Sequence, residues 1–136
     1  MSLNFLDAFE VNIDLAFTGF SKNDLKTVGD SYLGHLLNNS EFWLNELTLW
    51  IDFLRKNLEL NPPQFIREYN SFSIGLQLTD DFLISKLNLE WRQIADATDV
   101  LSFPVCDEKM LLPVDKCVEL GDIVVSVPTA QKQSIE

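Results

Sequence analysis

Two adjacent prolines, Pro62 and Pro63, separate segments whose apolar residues follow different periods. Before them, residues 40–58 carry apolar side chains at intervals of three and four, which is typical of an amphipathic helix. After them, residues 72–78 alternate apolar and polar side chains, which indicates a strand with one buried face. Because proline cannot continue a helical hydrogen-bond ladder, the helix is expected to end before the proline pair. The two periods together predict an α+β fold.

The same patterns predict the other elements. Residues 10–17 alternate like a first strand, and residues 21–37 show weaker helical spacing. A short helix is expected to begin at the polar residues 79–81 and to continue to Trp91. A third strand is predicted from Val100 to Phe103, closed by Pro104, and a fourth from Asp122 to Val127, with Pro128 and Thr129 as the entry of a last helix that is incomplete at Glu136.

Length and composition favour one soluble domain over residues 1–136, with 46% apolar residues to form its core. The sequence has neither a run of ~18 to 20 apolar residues nor the basic start of a signal peptide, so we expect a cytoplasmic location and no membrane partner. Cys106 and Cys117 have no histidine near them in the sequence, so we interpret them as reduced thiols rather than as metal ligands.

The formal net charge is −11, from 21 acidic and 10 basic residues. Such a charge repels a polyanion at long range, which argues against nucleic-acid binding through a broad basic surface. Any contact with RNA is therefore expected to be local and to depend on a few arginines placed in a cleft.

Two sequence blocks carry several fixed polar positions. The first, residues 87–104, reads LNLEWRQIADATDVLSFP, and the second, residues 120–126, reads LGDIVVS. Together they resemble the YbeY family of endoribonucleases. Several fixed polar positions in two ordered blocks are more specific than a short glycine motif. The resemblance is strong over residues 71–136 and extends to the front half only in the order of its elements.

The resemblance implies a YbeY-like, zinc-hydrolase-like fold, in which a mixed sheet of about four strands is accompanied by several helices. It also implies a metal-dependent, single-strand-specific endoribonuclease that acts in 16S rRNA 3′-end maturation and ribosome quality control. The implied partners are ribosomal RNA and the small ribosomal subunit, not DNA.

The family's zinc is held by three histidines that follow the LGDI strand, whereas His35 is the one histidine of this sequence. We do not assign His35 to a metal, because a lone histidine is more often a surface or core side chain. The expectation is therefore that the chain stops before the metal ligands, that it binds no zinc by itself, and that it is inactive alone. The alternative is a non-catalytic remnant or a ribosome-associated, RNA-contacting module.

By resemblance, Arg92 is the candidate catalytic and RNA-binding residue. Its guanidinium offers a planar fork of donors that can bind a phosphate and stabilise the charge that grows on it during cleavage. The alternative is an arginine that bridges to Asp96 or Asp99 and fixes the loop. We favour the functional role because the family pattern has an arginine at this position.

Three other polar residues of the same loop, Asp96, Thr98 and Asp99, are predicted to support it by binding backbone amides. The acidic pair Asp80–Asp81 is interpreted as a helix start and not as a metal site.

The tryptophans at positions 43, 50 and 91 are interpreted as core residues, because each falls on the apolar stripe of its predicted helix. A stacking platform for bases is the alternative that we reject, since few basic residues flank them.

Overall fold

The computed structural model describes residues 11–20, 35–105 and 117–135. Within these ranges, four strands form one sheet in the order β1-β2-β4-β3. The strands are β1 (Asn12–Thr18), β2 (Ser71–Thr79), β3 (Val100–Pro104) and β4 (Val118–Ser126). The helices are α1 (Ser40–Lys56), α2 (Gln64–Glu68), α3 (Asp81–Arg92) and α4 (Val127–Ile135), with a 3₁₀ turn at Leu58–Leu60.

Strands β3 and β4 are antiparallel. The N–H of Val105 donates to the carbonyl of Leu120 at 3.3 Å, and the N–H of Ser126 donates to the carbonyl of Asp99 at 2.8 Å. The end of one strand therefore lies beside the start of the other, as antiparallel pairing requires.

The pairs β1–β2 and β2–β4 are parallel. The N–H of Asn12 donates to the carbonyl of Asn70 at 2.7 Å, so β1 and β2 start side by side. At the start of β2 and β4, Phe72 and Val118 belong to one buried cluster. At the other end, the hydroxyl of Ser126, the last residue of β4, donates to Asp81, which lies two residues after β2. The sheet is mixed, so the predicted α+β class with about four strands is confirmed.

Gly75 lies in β2 opposite Asp122 of β4. A Cβ atom added at Gly75 would overlap the Asp122 carboxylate, which fills the space that a side chain would otherwise occupy. In β4 itself, Gly121 has a φ of 113°, a conformation that glycine adopts without the steric cost that other residues carry. The glycine of the LGDI block thus allows the backbone of β4 to adopt a positive φ at this position.

The chain divides into two compact units. Among the described residues, the first contains 11–16, 41–74, 104–105 and 117–121. Its core joins Ile51 of α1 to residues from α2, from the strands and from the turn that precedes β2. The guanidinium of Arg55 donates to Asn70 Oδ1 at 3.0 Å and to the Arg67 carbonyl at 3.5 Å, so it ties α1 to the end of α2. The buried members of this core are Val11, Ile51, Ile66, Tyr69, Phe72 and Val118.

The second unit contains the described residues 17–20, 35–40, 75–103 and 122–135. In its core, Ile84 of α3 packs with Leu101 of β3 and Val124 of β4. Partly buried residues of α3 and of the following loop surround this cluster, among them Leu87 and Ala97. Helix α3 therefore packs against the β3–β4 pair through the face that carries Ile84.

The predicted element boundaries needed few changes. Helix α1 ends at Lys56 rather than at Leu58, which lies in the 3₁₀ turn. Strand β4 begins at Val118, earlier than predicted, and Val127 belongs to α4 rather than to the strand. Thr129 lies inside α4, so the prediction that it caps this helix was wrong. Of the helix predicted over 21–37, only residues 35–37 lie within the described chain, where 35 and 36 are helical.

The assignment of the tryptophans to the core was wrong for two of the three. Trp50 is 54% exposed and Trp91 is 62% exposed, whereas Trp43 is partly buried. Trp91 makes an edge contact with Phe103 of β3, with 5.7 Å between ring centroids, although most of its surface stays in solvent.

We predict that Ile84→Ala lowers the free energy of unfolding by about 2 to 5 kcal/mol, because it leaves a cavity in the core of the second unit. The matched control is Leu89→Ala on the same helix: Ile84 is 0% exposed and Leu89 is 53% exposed. The control should change stability by no more than about 0.5 kcal/mol. Urea denaturation measures both, and equal losses would contradict the described packing of α3.

Candidate functional site

Helix α3 ends in a tight left-handed turn. Gln93 has a φ of 57°, and its N–H donates to the carbonyls of Asn88 and Leu89. The next residue, Ile94, also donates its N–H to the Asn88 carbonyl at 3.3 Å. A left-handed residue with these bonds is a common way to end a helix, because it satisfies carbonyls that lack partners in the last turn. The turn directs the chain away from α3 immediately after Arg92.

The side chain of Asn88 is buried beneath this turn and is 2% exposed. Its Nδ2 donates to the carbonyl of Asp96 at 2.9 Å, and its Oδ1 accepts from a terminal guanidinium nitrogen of Arg92 at 3.4 Å. One amide therefore contacts both the loop that follows α3 and the candidate arginine.

Arg92, which we predicted to bind RNA, is an exposed residue in the last turn of α3. Within the described part of the chain, its guanidinium contacts Asn88 and forms no ion pair with Asp96 or Asp99. A cation near a helix C-terminus is favourable, because the helix dipole is negative there. Among residues 11–20, 35–105 and 117–135, no carboxylate pairs with this exposed guanidinium.

The three predicted loop residues make short-range contacts. Asp96 Oδ1 accepts from the N–H of Ala97 at 2.9 Å, and the hydroxyl of Thr98 donates to Asp99 Oδ1 at 3.3 Å. The carbonyl of Asp99 accepts from the N–H of Ser126, so the end of the loop is attached to β4. These contacts connect the segment after Arg92 to the sheet.

A carboxylate at the other end of α3 has two hydroxyl partners that the sequence did not indicate. Asp81 Oδ1 accepts from the hydroxyls of Ser126 and Thr129. Ser126 is fully buried at the end of β4, and Thr129 lies in the first turn of α4. Asp80, by contrast, is the N-cap of α3, and its carboxylate accepts from the N–H of Leu83 at 3.0 Å. The interpretation of Asp80–Asp81 as a helix start is therefore consistent with the structure but omits the role of Asp81 as an acceptor for α4.

A mostly apolar groove of about 400 Å³ lies beside α3. Phe82 and Leu89 are exposed in it, and the Lys86 ammonium lies over the Phe82 ring at 5.3 Å from its centroid. Ala95 of the following loop completes one side. The carboxylate of Asp81 also lines the groove, and it already accepts hydrogen bonds from the hydroxyls of Ser126 and Thr129.

The described residues contain no group of three or more His, Cys, Asp or Glu side chains that could hold a metal ion. His35 is exposed, Cys117 is an exposed free thiol, and Cys106 lies outside the described residues. Over the same ranges, no helix is both long and apolar enough to cross a membrane.

Comparison with known proteins identifies close relatives. The profile of the family described as Endoribonuclease YbeY matches residues 39–136. The chain is similar to Endoribonuclease YbeY of Prochlorococcus marinus strain MIT 9313, with 45% identity over 124 residues, which are 91% of this chain and 66% of that protein. It is 42% identical to the Endoribonuclease YbeY of strain NATL2A over 92% of this chain and 68% of the relative.

A further relative is the Endoribonuclease YbeY of Synechococcus sp. strain CC9311, with 40% identity over 93% of this chain and 71% of the relative. The chain thus spans about two thirds of the length of these relatives.

We predict that Asp81→Ala destabilises the start of α4, because it leaves the buried Ser126 hydroxyl without its acceptor, at a cost of about 1 to 3 kcal/mol. Asp81→Asn keeps an oxygen that accepts from both hydroxyls, so it should cost less. Glu90→Ala, at an exposed acid on the same helix, is the control. Hydrogen exchange of the α4 amides measures the effect, and equal protection in all three variants would show that Asp81 does not hold α4.

Proposed function

Because the chain belongs to the YbeY endoribonuclease family, we propose that it takes part in metal-dependent cleavage of single-stranded RNA. The proposed reaction serves 16S rRNA 3′-end maturation and ribosome quality control, with zinc as the metal. Ribosomal RNA and the small ribosomal subunit are the proposed partners, in the cytoplasm, and residues 1–136 are proposed to form one domain. The observation that carries the proposal is the exposed Arg92 guanidinium, which has no carboxylate partner among the described residues.

Arg92 is suited to bind a phosphate despite its surroundings. The net charge of −11 and the negative end of the α3 dipole both repel an anion, so the attraction has to come from the guanidinium itself. Two parallel N–H donors on one guanidinium match two phosphate oxygens and give a directed, charge-assisted contact. The hydrogen bond from Arg92 to Asn88 occupies one terminal nitrogen, and no other described residue bonds to the remaining guanidinium donors, which we assign to the ligand.

In cleavage, negative charge builds up on the phosphate oxygens as the attacking oxygen approaches. A guanidinium that is already in place stabilises this charge more in the transition state than in the ground state, and so lowers the barrier. The described donor set does not fit a zinc site, so we assign no catalytic step of this chain to a metal. The contribution proposed for Arg92 is to bind and polarise the scissile phosphate.

A second candidate function is an RNA-contacting module without catalysis. It is favoured by the donor chemistry of the described residues, since a zinc hydrolase needs about three ligands and these residues contain no group of three His, Cys, Asp or Glu side chains that could hold a metal. In such a module, Arg92 would bind the same phosphate and no bond would be cleaved.

We predict that Arg92→Ala weakens binding of a fluorescent oligouridylate about tenfold, because one charge-assisted contact is lost. The slope of log affinity against log salt should become shallower by about 0.7, the value for one phosphate contact on a single strand. Arg67→Ala, which removes an exposed arginine of α2, is the matched control and should leave both quantities unchanged. Fluorescence anisotropy measures them, and an equal effect of the two substitutions would contradict a specific site at Arg92.

We also predict that the 136-residue chain, purified as it stands, holds substoichiometric zinc and leaves a 16S rRNA precursor intact, for lack of ligands. Metal analysis after dialysis and a cleavage assay test this. The protein as its own cells make it should cleave the precursor, and Arg92→Ala should reduce that activity. Binding without cleavage in the cellular protein would favour the module over the enzyme.

A further inference from the structure

Three polar side chains are buried within the described residues: Thr48, Asn88 and Ser126. The hydroxyl of Thr48 donates to Leu44 of its own helix, and that of Ser126 donates to Asp81. Asn88 differs from both, because its side chain contacts a residue that we assign to RNA binding. It therefore connects the interior of the second unit to the proposed site.

Three polar atoms of Asn88 form hydrogen bonds around one turn. Its backbone carbonyl accepts from Gln93 and Ile94, its Nδ2 donates to the carbonyl of Asp96, and its Oδ1 accepts from Arg92. A residue that lies one helical turn before Arg92 thus fixes the turn, the loop and the guanidinium together.

An asparagine suits this position for a chemical reason. An amide carries a donor and an acceptor on adjacent atoms, whereas a carboxylate lacks the donor and an aliphatic side chain lacks both. Asparagine is also a poor residue for a helix interior, since its side chain competes for backbone groups. Its presence in the penultimate turn of α3 is explained by the two contacts of its amide.

We propose that Asn88 is a positioning residue, whose amide oxygen holds the Arg92 guanidinium in the orientation that receives an RNA phosphate. The inference rests on the RNA-binding role proposed above for Arg92. An arginine side chain without contacts samples many rotamers. When its guanidinium binds a phosphate, most of these rotamers are lost, and the lost entropy weakens binding. The hydrogen bond to Asn88 restricts the guanidinium before RNA arrives, so binding loses less side-chain entropy.

A double-mutant cycle on the full 136-residue chain tests the proposal, with oligouridylate affinity as the readout. Asn88→Ala should weaken binding about threefold to tenfold, as expected when one rotamer-rich side chain is no longer held in place. In the Arg92→Ala background, the same substitution should have no further effect, because there is no guanidinium left to position. An equal loss in both backgrounds, or no loss in either, would overturn the proposal.

Asn88→Asp provides a second variant in case Asn88→Ala does not fold. The new carboxylate keeps an acceptor for Arg92 but pairs with its charge, so the affinity for oligouridylate should fall about as much as in Arg92→Ala, by about tenfold. Unchanged affinity in a folded Asn88→Asp variant would show that residue 88 does not contact the working guanidinium and would overturn the proposal.

NMR relaxation of the Arg92 Nε–Hε group measures the mobility of the guanidinium without RNA. It therefore tests the positioning by Asn88 separately from the RNA-binding role of Arg92. We expect the guanidinium to be ordered in the unsubstituted chain and to become more mobile in Asn88→Ala. If Arg92→Ala leaves RNA binding intact while Asn88→Ala still mobilises the guanidinium, the proposed RNA role fails and the hydrogen bond stands without that role. If the mobility of Arg92 does not change, positioning by Asn88 is excluded whatever the RNA results.

Discussion

The amide of Asn88 and the hydroxyl of Ser126 hold α3 at its two ends. At the C-terminal end, Asn88 bonds to the carbonyl of Asp96, and the same loop reaches β4 through the bond between Asp99 and the N–H of Ser126. At the N-terminal end, the Ser126 hydroxyl donates to Asp81. The helix, the loop and the end of β4 therefore form a closed ring of contacts. Arg92 lies in the last turn of this helix, and its own hydrogen bond to Asn88 connects its guanidinium to these contacts.

Much of the fold could be predicted from the period of the apolar residues. The alternation over residues 72–78 predicted the bounds of β2 to within about one residue at each end. It did so because the buried side chains of this strand all have even numbers. The period was less informative for α1, where Leu49, Trp50 and Phe53 are apolar and exposed. When apolar residues occupy more than half of a helix's circumference, spacing alone does not reveal which face is buried. The same ambiguity explains the error at Trp91.

The site could be predicted only in part. The motif around Arg92 pointed to the loop after α3, since all of its members lie within a short stretch of sequence. The hydrogen bonds that Ser126 and Thr129 donate to Asp81 join residues that are 45 and 48 positions apart, and no local pattern signals such a pairing. Asn88 lies in the sequence block 87–104, but its contacts with Asp96 and Arg92 depend on the burial of its side chain, which the sequence does not reveal.

Strand β4 passes into α4 without an intervening residue, since one ends at Ser126 and the other begins at Val127. A connection of this kind has no loop residue that could absorb a change in chain length. One residue inserted at the junction would rotate the whole of α4 by about 100° about its axis, given 3.6 residues per turn, and would carry Thr129 away from Asp81. An insertion at this junction would therefore disturb the contacts of α4 far more than an insertion of the same length in a surface loop, where extra residues cost little.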